Sequence, residues 1–291
     1  MIISCKHDEI TLITENKSYM LINENSFDLT IYIEDSYSFY LEPKNIDTLY
    51  LKDKINKYDL TVNTLTKKEG KLQLDDKELS QYNLNVTFNY KMDKMFKIPK
   101  CKIELISINN DSVELDIGSF TYLNILDNNN LVYTSAYKGI INDLIYIDDV
   151  SYLTIVGTIL SINNANNNEI YIKNIIPING HLEVQQNKIE LVDNIDIANN
   201  TPIEELLNTK YDLLYNKTSD EFNFLMSKDK QSVLLPISYT NVFMTNNIMF
   251  LIIYEIDNNV YYDFTPNMIL FNSTKLNNNF NIYVINWNKY K

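Results

Sequence analysis

Residues 27–33 read "FDLTIYI". Phe27, Leu29, Ile31 and Ile33 fall on one side of an extended chain, with Asp28, Thr30 and Tyr32 on the other. A period of two is the mark of a strand with one buried face. It constrains this chain more than any other feature because it recurs almost from end to end. The same grammar predicts strands in "YSFYLE" (37–42), "IDTLYLK" (46–52), "YDLTVNT" (58–64), "LNVTFNY" (84–90), "CKIELIS" (101–107), "SVELDIG" (112–118) and "FTYLNIL" (120–126). It continues through "DLIYI" (143–147), "LTIVGTIL" (153–160), "EIYIKNI" (169–175), "HLEVQ" (181–185) and "KIELV" (188–192). "SVLLPI" (232–237), "NIMFLIIYEI" (247–256), "VYYDF" (260–264), "MILFN" (268–272) and "NIYVINW" (281–287) complete the series. Aromatic-Asp-Leu-Thr occurs at 27–30 and again at 58–61. No third copy follows at that period, so the echo reads as one building rule of a meander and not as a repeat array.

Turn signals separate the strands. The chain has only 5 glycines, while asparagine is about one residue in seven. Asn and Asp must therefore supply the turns, since both tolerate positive φ and bond their own backbone. "NNANNN" at 163–168 is predicted as a hairpin tip on this basis. Helix signals are few. "NTPIEELLN" (200–208), with Thr201 as cap and Pro202 in the first turn, predicts one short helix near 201–208, and "DDKELSQY" (75–82) is a weaker candidate. The expected class is all-β, two to three β-sandwich units of immunoglobulin-like or jelly-roll-like kind with antiparallel strands. A linker-like shift to Lys and Met at 91–100 and a break in the strand series at 194–202 suggest domains at 1–95, 100–195 and 196–291.

The 291 residues include no arginine, and the net charge is −13. Phosphate neutralisation dominates nucleic-acid affinity and arginine is its preferred agent, so sequence-specific nucleic-acid binding is not expected. Residues 101–200 hold 4 Lys against 13 acids, so the middle third carries most of the negative field. If the protein formed a ring, that block could line a channel along which DNA slides. The start, "MIISCKHDEITLIT", has no basic n-region, and the apolar run "IMFLIIY" (248–254) is too short to span a bilayer. The expectation is a protein made in the cytoplasm, not secreted through a signal peptide, with no membrane partner.

Chemical vocabulary is sparse. Cys5 and Cys101 belong to no metal-ligand spacing and both read as small buried hydrophobes. His7 and His181 are the only histidines and no GxSxG marks a nucleophile. Gly70, Gly118, Gly139, Gly157 and Gly180 are scattered singly, which excludes phosphate-cradling loops. Calcium needs only oxygens, and "DNNNL" (127–131), "YIDDV" (146–150) and "EIDNNVYYD" (255–263) are oxygen-rich, but none matches the EF-hand loop. A glycosidase needs only two facing carboxylates, so 38 acids leave that option open. No catalytic, cofactor or metal residues are nominated, and no enzyme is expected. The class that fits is a structural protein of a large assembly, a virion protein of a phage or large DNA virus (capsid-associated, collar or tail). Its expected partners are copies of itself and other assembly proteins, and AT-type codon bias in Asn, Ile, Lys and Tyr is the pointer. The alternative is a carbohydrate- or receptor-binding β-module on a particle surface, with the asparagine-rich tips and the region of Trp287 as places to look.

Overall fold

The structure is a computed structural model that describes residues 7–90, 95–125, 132–147, 149–164, 169–192, 212–213, 224–226, 230–243, 245–271 and 280–288. The described strands are, in order, β1 (His7–Glu15), β2 (Lys17–Ile22), β3 (Ser26–Ile33), β4 (Ile46–Lys52), β5 (Lys57–Leu74), β6 (Lys77–Phe88), β7 (Phe96–Ser107) and β8 (Ser112–Leu123). There follow β9 (Val132–Ile147), β10 (Val150–Asn164), β11 (Ile170–Pro177), β12 (Leu182–Val184), β13 (Glu190–Leu191), β14 (Asp212–Leu213) and β15 (Phe224–Met226). The last are β16 (Lys230–Tyr239), β17 (Thr245–Ile248), β18 (Phe250–Ile256), β19 (Asn259–Phe264), β20 (Met268–Phe271) and β21 (Phe280–Asn288). The protein is all-β, as the alternation predicts. The chain divides into two compact units, Met1–Asn124 with Lys275–Lys291, and Ile125–Thr274.

In the first unit the strand order is β2-β8-β7-β4-β5-β6-β3-β1-β21. One face is β1-β3-β6-β5 and the other β4-β7-β8, the arrangement of an immunoglobulin-like sandwich. Two features join the faces. Strand β5 pairs with β4 through Lys57–Leu60 and with β6 from Leu60 onward. The first strand breaks at Asn16: β1 runs antiparallel to β3, while β2 runs parallel to β8. Leu29, Ile31 and Ile33 are fully buried beside Leu84, Val86, Leu105 and Leu115 in a single core, each worth about 2 kcal/mol of burial. The Asp-Leu-Thr echo resolves here, for β3 and β5 flank the same strand β6 and each turns its leucine inward.

The second unit faces two sheets across one core. One is β14-β13-β16-β10-β9 with β12 added to β16, and the other is β15-β11-β18-β19, with a separate β17-β20 pair. Leu160, Ile162, Val233 and Leu235 from the first meet Ile172, Ile175, Ile252 and Tyr254 from the second.

The turn chemistry follows the prediction. Among the described residues, the non-glycine positions with positive φ are Asn23, Asp75, Asn110, Asp149, Asp257 and Asn258, all Asn or Asp. Four expectations are corrected. "YSFYLE" is not a strand: Asp35–Leu41 is a 3-10 segment, its turn closed by the Tyr37 N–H donating to the Glu34 carbonyl. Adjacent Tyr40 and Leu41 are both buried there, which a strand with one buried face does not allow. "DDKELSQY" is the β5–β6 hairpin turn and the start of β6, with Asp75 at φ 51°. "SVELDIG" and "FTYLNIL" are one strand, because Gly118 at φ 105° carries β8 through a bulge opposite Cys101. Residues 165–168 of "NNANNN" lie outside the described residues, but the strands on either side, β10 and β11, belong to different sheets and do not pair as a hairpin.

The domain boundary placed at 91–100 also moves. Phe96–Lys100 is already part of β7, and Pro99 sits at a register shift between Ile98 and Cys101, where a missing N–H is tolerated. Residues 96–123 therefore complete the first unit instead of opening a second. The boundary near 196 and the helix predicted near 201–208 lie outside the described residues. Strand β21 returns to the first unit, so the second is an insertion between β8 and β21.

Gly118 has no substitute. A Cβ there would meet the backbone of Lys17 where the parallel β2–β8 pairing begins. Gly118→Ala is expected to cost about 2–3 kcal/mol, read as a shift of the denaturant midpoint, because it adds backbone strain to a clash with main chain.

Candidate functional site

The sequence nominates few residues, and the structure distributes them. Cys5 lies outside the described residues. Cys101 is buried in β7 and its thiol is pushed up by desolvation, which makes it inert. His7 begins β1 opposite Asn288, a strand-end position. His181 is fully buried, edge-on to Phe243 at 4.5 Å between ring centroids. Of the calcium candidates, 127–131 lies outside the described residues. In 255–263, Glu255 pairs with Lys173 at 3.2 Å, Asp257 and Asn258 form the β18–β19 turn, and Asp263 accepts from the Tyr254 hydroxyl. Among the described residues no group of three or more His, Cys, Asp or Glu is arranged to hold a metal. Trp287 lies on β21 opposite Asp8.

The acids of the middle third are divided between the two units. Those on β7 and β8 lie in the first unit and face lysines. Glu104 and Glu114 are directly opposed across β7 and β8. Lys57 reaches Glu104 at 2.6 Å, Lys52 contacts both carboxylates, and Lys102 lies 3.7 Å from Glu114 and 3.9 Å from Asp116. The group borders an open cleft of about 450 Å³ that Lys54 and Lys100 also line. Lysine contacts, Lys57 first for Glu104 and Lys52 first for Glu114, hold both carboxyls below their usual range. An acid–base pair needs the two pushed apart, whereas here both are held down together in an ion-pair network. Glu190 has the opposite shift, raised by burial, but sits between leucines, opposite Leu213 and Leu234. The idea of an acidic channel lining fails for Glu104, Glu114 and Asp116, which face these lysines.

The surface that does stand out is in the second unit. Strands β9 and β10 form a long ribbon, and β16 accompanies β10 only from Gly157 to Asn163. Toward the tip, residues 143–155 continue as an arm with two strands among the described residues, a form with marginal stability of its own. On one side Leu144 directly opposes Leu153 and Tyr146 opposes Ser151. Leu144, Leu153 and Tyr146 are 55%, 53% and 73% exposed. On the other side Ile145 and Ile147, with Val156, Ile237 and Tyr239, line a cleft of about 380 Å³ that Lys188 also borders. Burial pushes the Tyr239 phenol up to about 12, and its hydroxyl donates to the Ile155 carbonyl. The arm thus has apolar residues on both faces, with acidic Asp143 at its base and Asp149 at its turn. The "DLIYI" alternation revealed the strand, but not that the face with Leu144 and Tyr146 stays uncovered while Ile145 and Ile147 are half-buried.

No family model matches the chain, and no curated protein does. Solved structures with similarity include β-rich adhesin domains. The C-terminal domain of the AgI/II polypeptide BspA from Streptococcus agalactiae is 10% identical over 89% of this chain and 99% of its own, with a TM-score of 0.22. The collagen adhesin CNA from S. aureus is 10% identical over 97% of each chain, with a TM-score of 0.25. The E. coli adhesin CfaE is 9% identical over 88% of this chain and 85% of its own, with a TM-score of 0.21. Scores this low carry no argument about relationship or activity.

The lysine network has a pH consequence. Asp35 is held at about 2 by Lys67, then by the Tyr82 hydroxyl and Ser80, and Glu104 and Glu114 are also lowered. Carboxyls depressed in the fold contribute stability above their ordinary values near ~4, and that contribution fades as pH falls through the folded values. Denaturant midpoints are therefore expected to drop between roughly pH 4.5 and 2. Lys52→Met should lower the neutral midpoint and flatten the acid slope; an unchanged slope would refute the assignment.

Proposed function

We propose that this chain is a non-catalytic structural component of a large assembly, a virion protein acting through protein–protein contacts. The observation that carries the reading is the two-faced apolar arm at 143–155. An exposed ribbon with Leu144, Tyr146 and Leu153 outermost has the composition of an interface centre, where a tyrosine brings apolar area with a polar tip. Its acidic base and turn suit a partner with an apolar groove and lysines at the rim. The codon-biased composition favours a virion as the particle.

A second reading rests on the cleft beside the arm. Tyr146, Tyr239, Gln185 and Lys188 combine aromatic surface with polar groups in one concavity, as a carbohydrate- or receptor-binding module requires.

Leu144→Asp combined with Tyr146→Ser is expected to leave the fold intact, since both side chains face solvent. The double variant should reduce the amount of chain recovered in purified particles roughly thirty-fold, the loss of about 2 kcal/mol at a contact centre. Recovery equal to that of the parent chain removes the assembly role of the arm. Glycan-array binding that disappears in Tyr146→Ala would favour the second reading, and a flat array with folded protein would end it.

A further inference from the structure

Strand β21 ends the nine-strand order of the first unit, pairing with β1 from Glu15↔Phe280 to His7↔Asn288. Its other edge has no strand beside it among the described residues. Sheet ends are normally guarded by a charge, a proline, a bulge or shortness. Of the two strands longer than six residues that end a sheet here, β9 carries Lys138 and Asp143. Strand β21, "FNIYVINWN", carries no charge and no proline, and its pairing with β1 has no register shift. In a chain of net charge −13, nine consecutive neutral residues at an edge form a strip on which two copies meet without direct repulsion.

The inner side of the strand is fastened. The Tyr283 hydroxyl lies 3.1 Å from Asp116 Oδ2 and accepts from the Asp116 N–H at 2.6 Å. The outer side is apolar: Ile282 and Val284 are 54% and 58% exposed, next to Phe280 edge-on to Tyr32. Antiparallel pairing of β21 with a second β21 about a twofold axis at Tyr283 places Ile282 opposite Val284 twice. That aliphatic cross-strand pair stabilises a hairpin or an interface alike. It also makes the contact self-complementary, as twofold symmetry demands.

We propose that the β21 edge is a homodimer interface, in which the β21 strands of two copies pair antiparallel and continue the first unit's sheet from one protomer into the other. The occupant is a second copy of this chain, because the strip is neutral, self-complementary and continuous with an ordered sheet.

Sedimentation velocity of the full chain over a concentration series tests this. A monomer–dimer equilibrium is expected, moving to monomer in Val284→Lys at every concentration where the parent dimerises. Leu144→Asp in the arm should leave the dimer unchanged, so failure of this proposal is separable from failure of the assembly role of the arm. Hydrogen exchange of the unaltered chain at low and high concentration gives a readout that needs no variant. Amides of β21 should gain protection as the dimer forms. A chain that stays monomeric throughout, a dimer indifferent to Val284→Lys, a dimer lost in Leu144→Asp, or β21 exchange independent of concentration would each overturn the proposal.

Discussion

The first unit depends on the break at Asn16. On one side of it the chain pairs antiparallel with β3; on the other it pairs parallel with β8, so a single segment belongs to both faces of the sandwich. Side chains around the break hold it. The Thr14 hydroxyl donates to the Asp116 carbonyl at 2.7 Å, and the amides of Asn16 and Asn281 bond each other. Asn281 also donates to the Asp116 carbonyl at 3.0 Å. The parallel half starts at Gly118, where no side chain fits against Lys17. With no disulfide among the described residues, these hydrogen bonds and the core beneath them fix the crossing.

Partners at this crossing come from both ends of the chain. Asn281 is 265 residues from Asn16, and β21 reaches the first unit only after the whole inserted unit has been made. Pairings this distant in sequence are costly in loop entropy and form slowly. Before β21 arrives the edge of β1 is open, and after it arrives β21 is the strand that ends this sheet among the described residues. The two surfaces that invite contact differ in kind. The β21 edge offers backbone pairing on a neutral strip, whereas the β9–β10 arm offers apolar side chains beside acids. Neither resembles a reaction centre, and the cleft lined by Lys52, Lys102, Glu114 and Asp116 is occupied by its own lysine–carboxylate pairs.

Legibility varied with burial. Strands with one buried face, such as β3, β4 and β6, were readable because alternation records which side meets the core. Half of β5 was not: no residue of "LTKKEGKLQL" is fully buried, so its pairing with β6 leaves little hydrophobic pattern. The Asp35–Leu41 segment looked like a strand because aromatic residues alternate there, yet its turn hydrogen bonds are local and its aromatic rings pack against one another at tilted angles. For the arm, a period of two identified the strands, but one strand reads the same whether a neighbouring sheet covers it or not.

By itself the sequence determined the class of structure and its punctuation. Alternation sets which side of each strand is buried, and with so few glycines the positive-φ turns had to fall on Asn and Asp. Tertiary structure alone decided the partners: that β3 and β5 share β6, that residues 96–123 complete the first sandwich, and that the last strand returns to the first. Backbone hydrogen bonds are chemically alike at every position, so pairing order follows from how the whole core closes and not from any local run of residues.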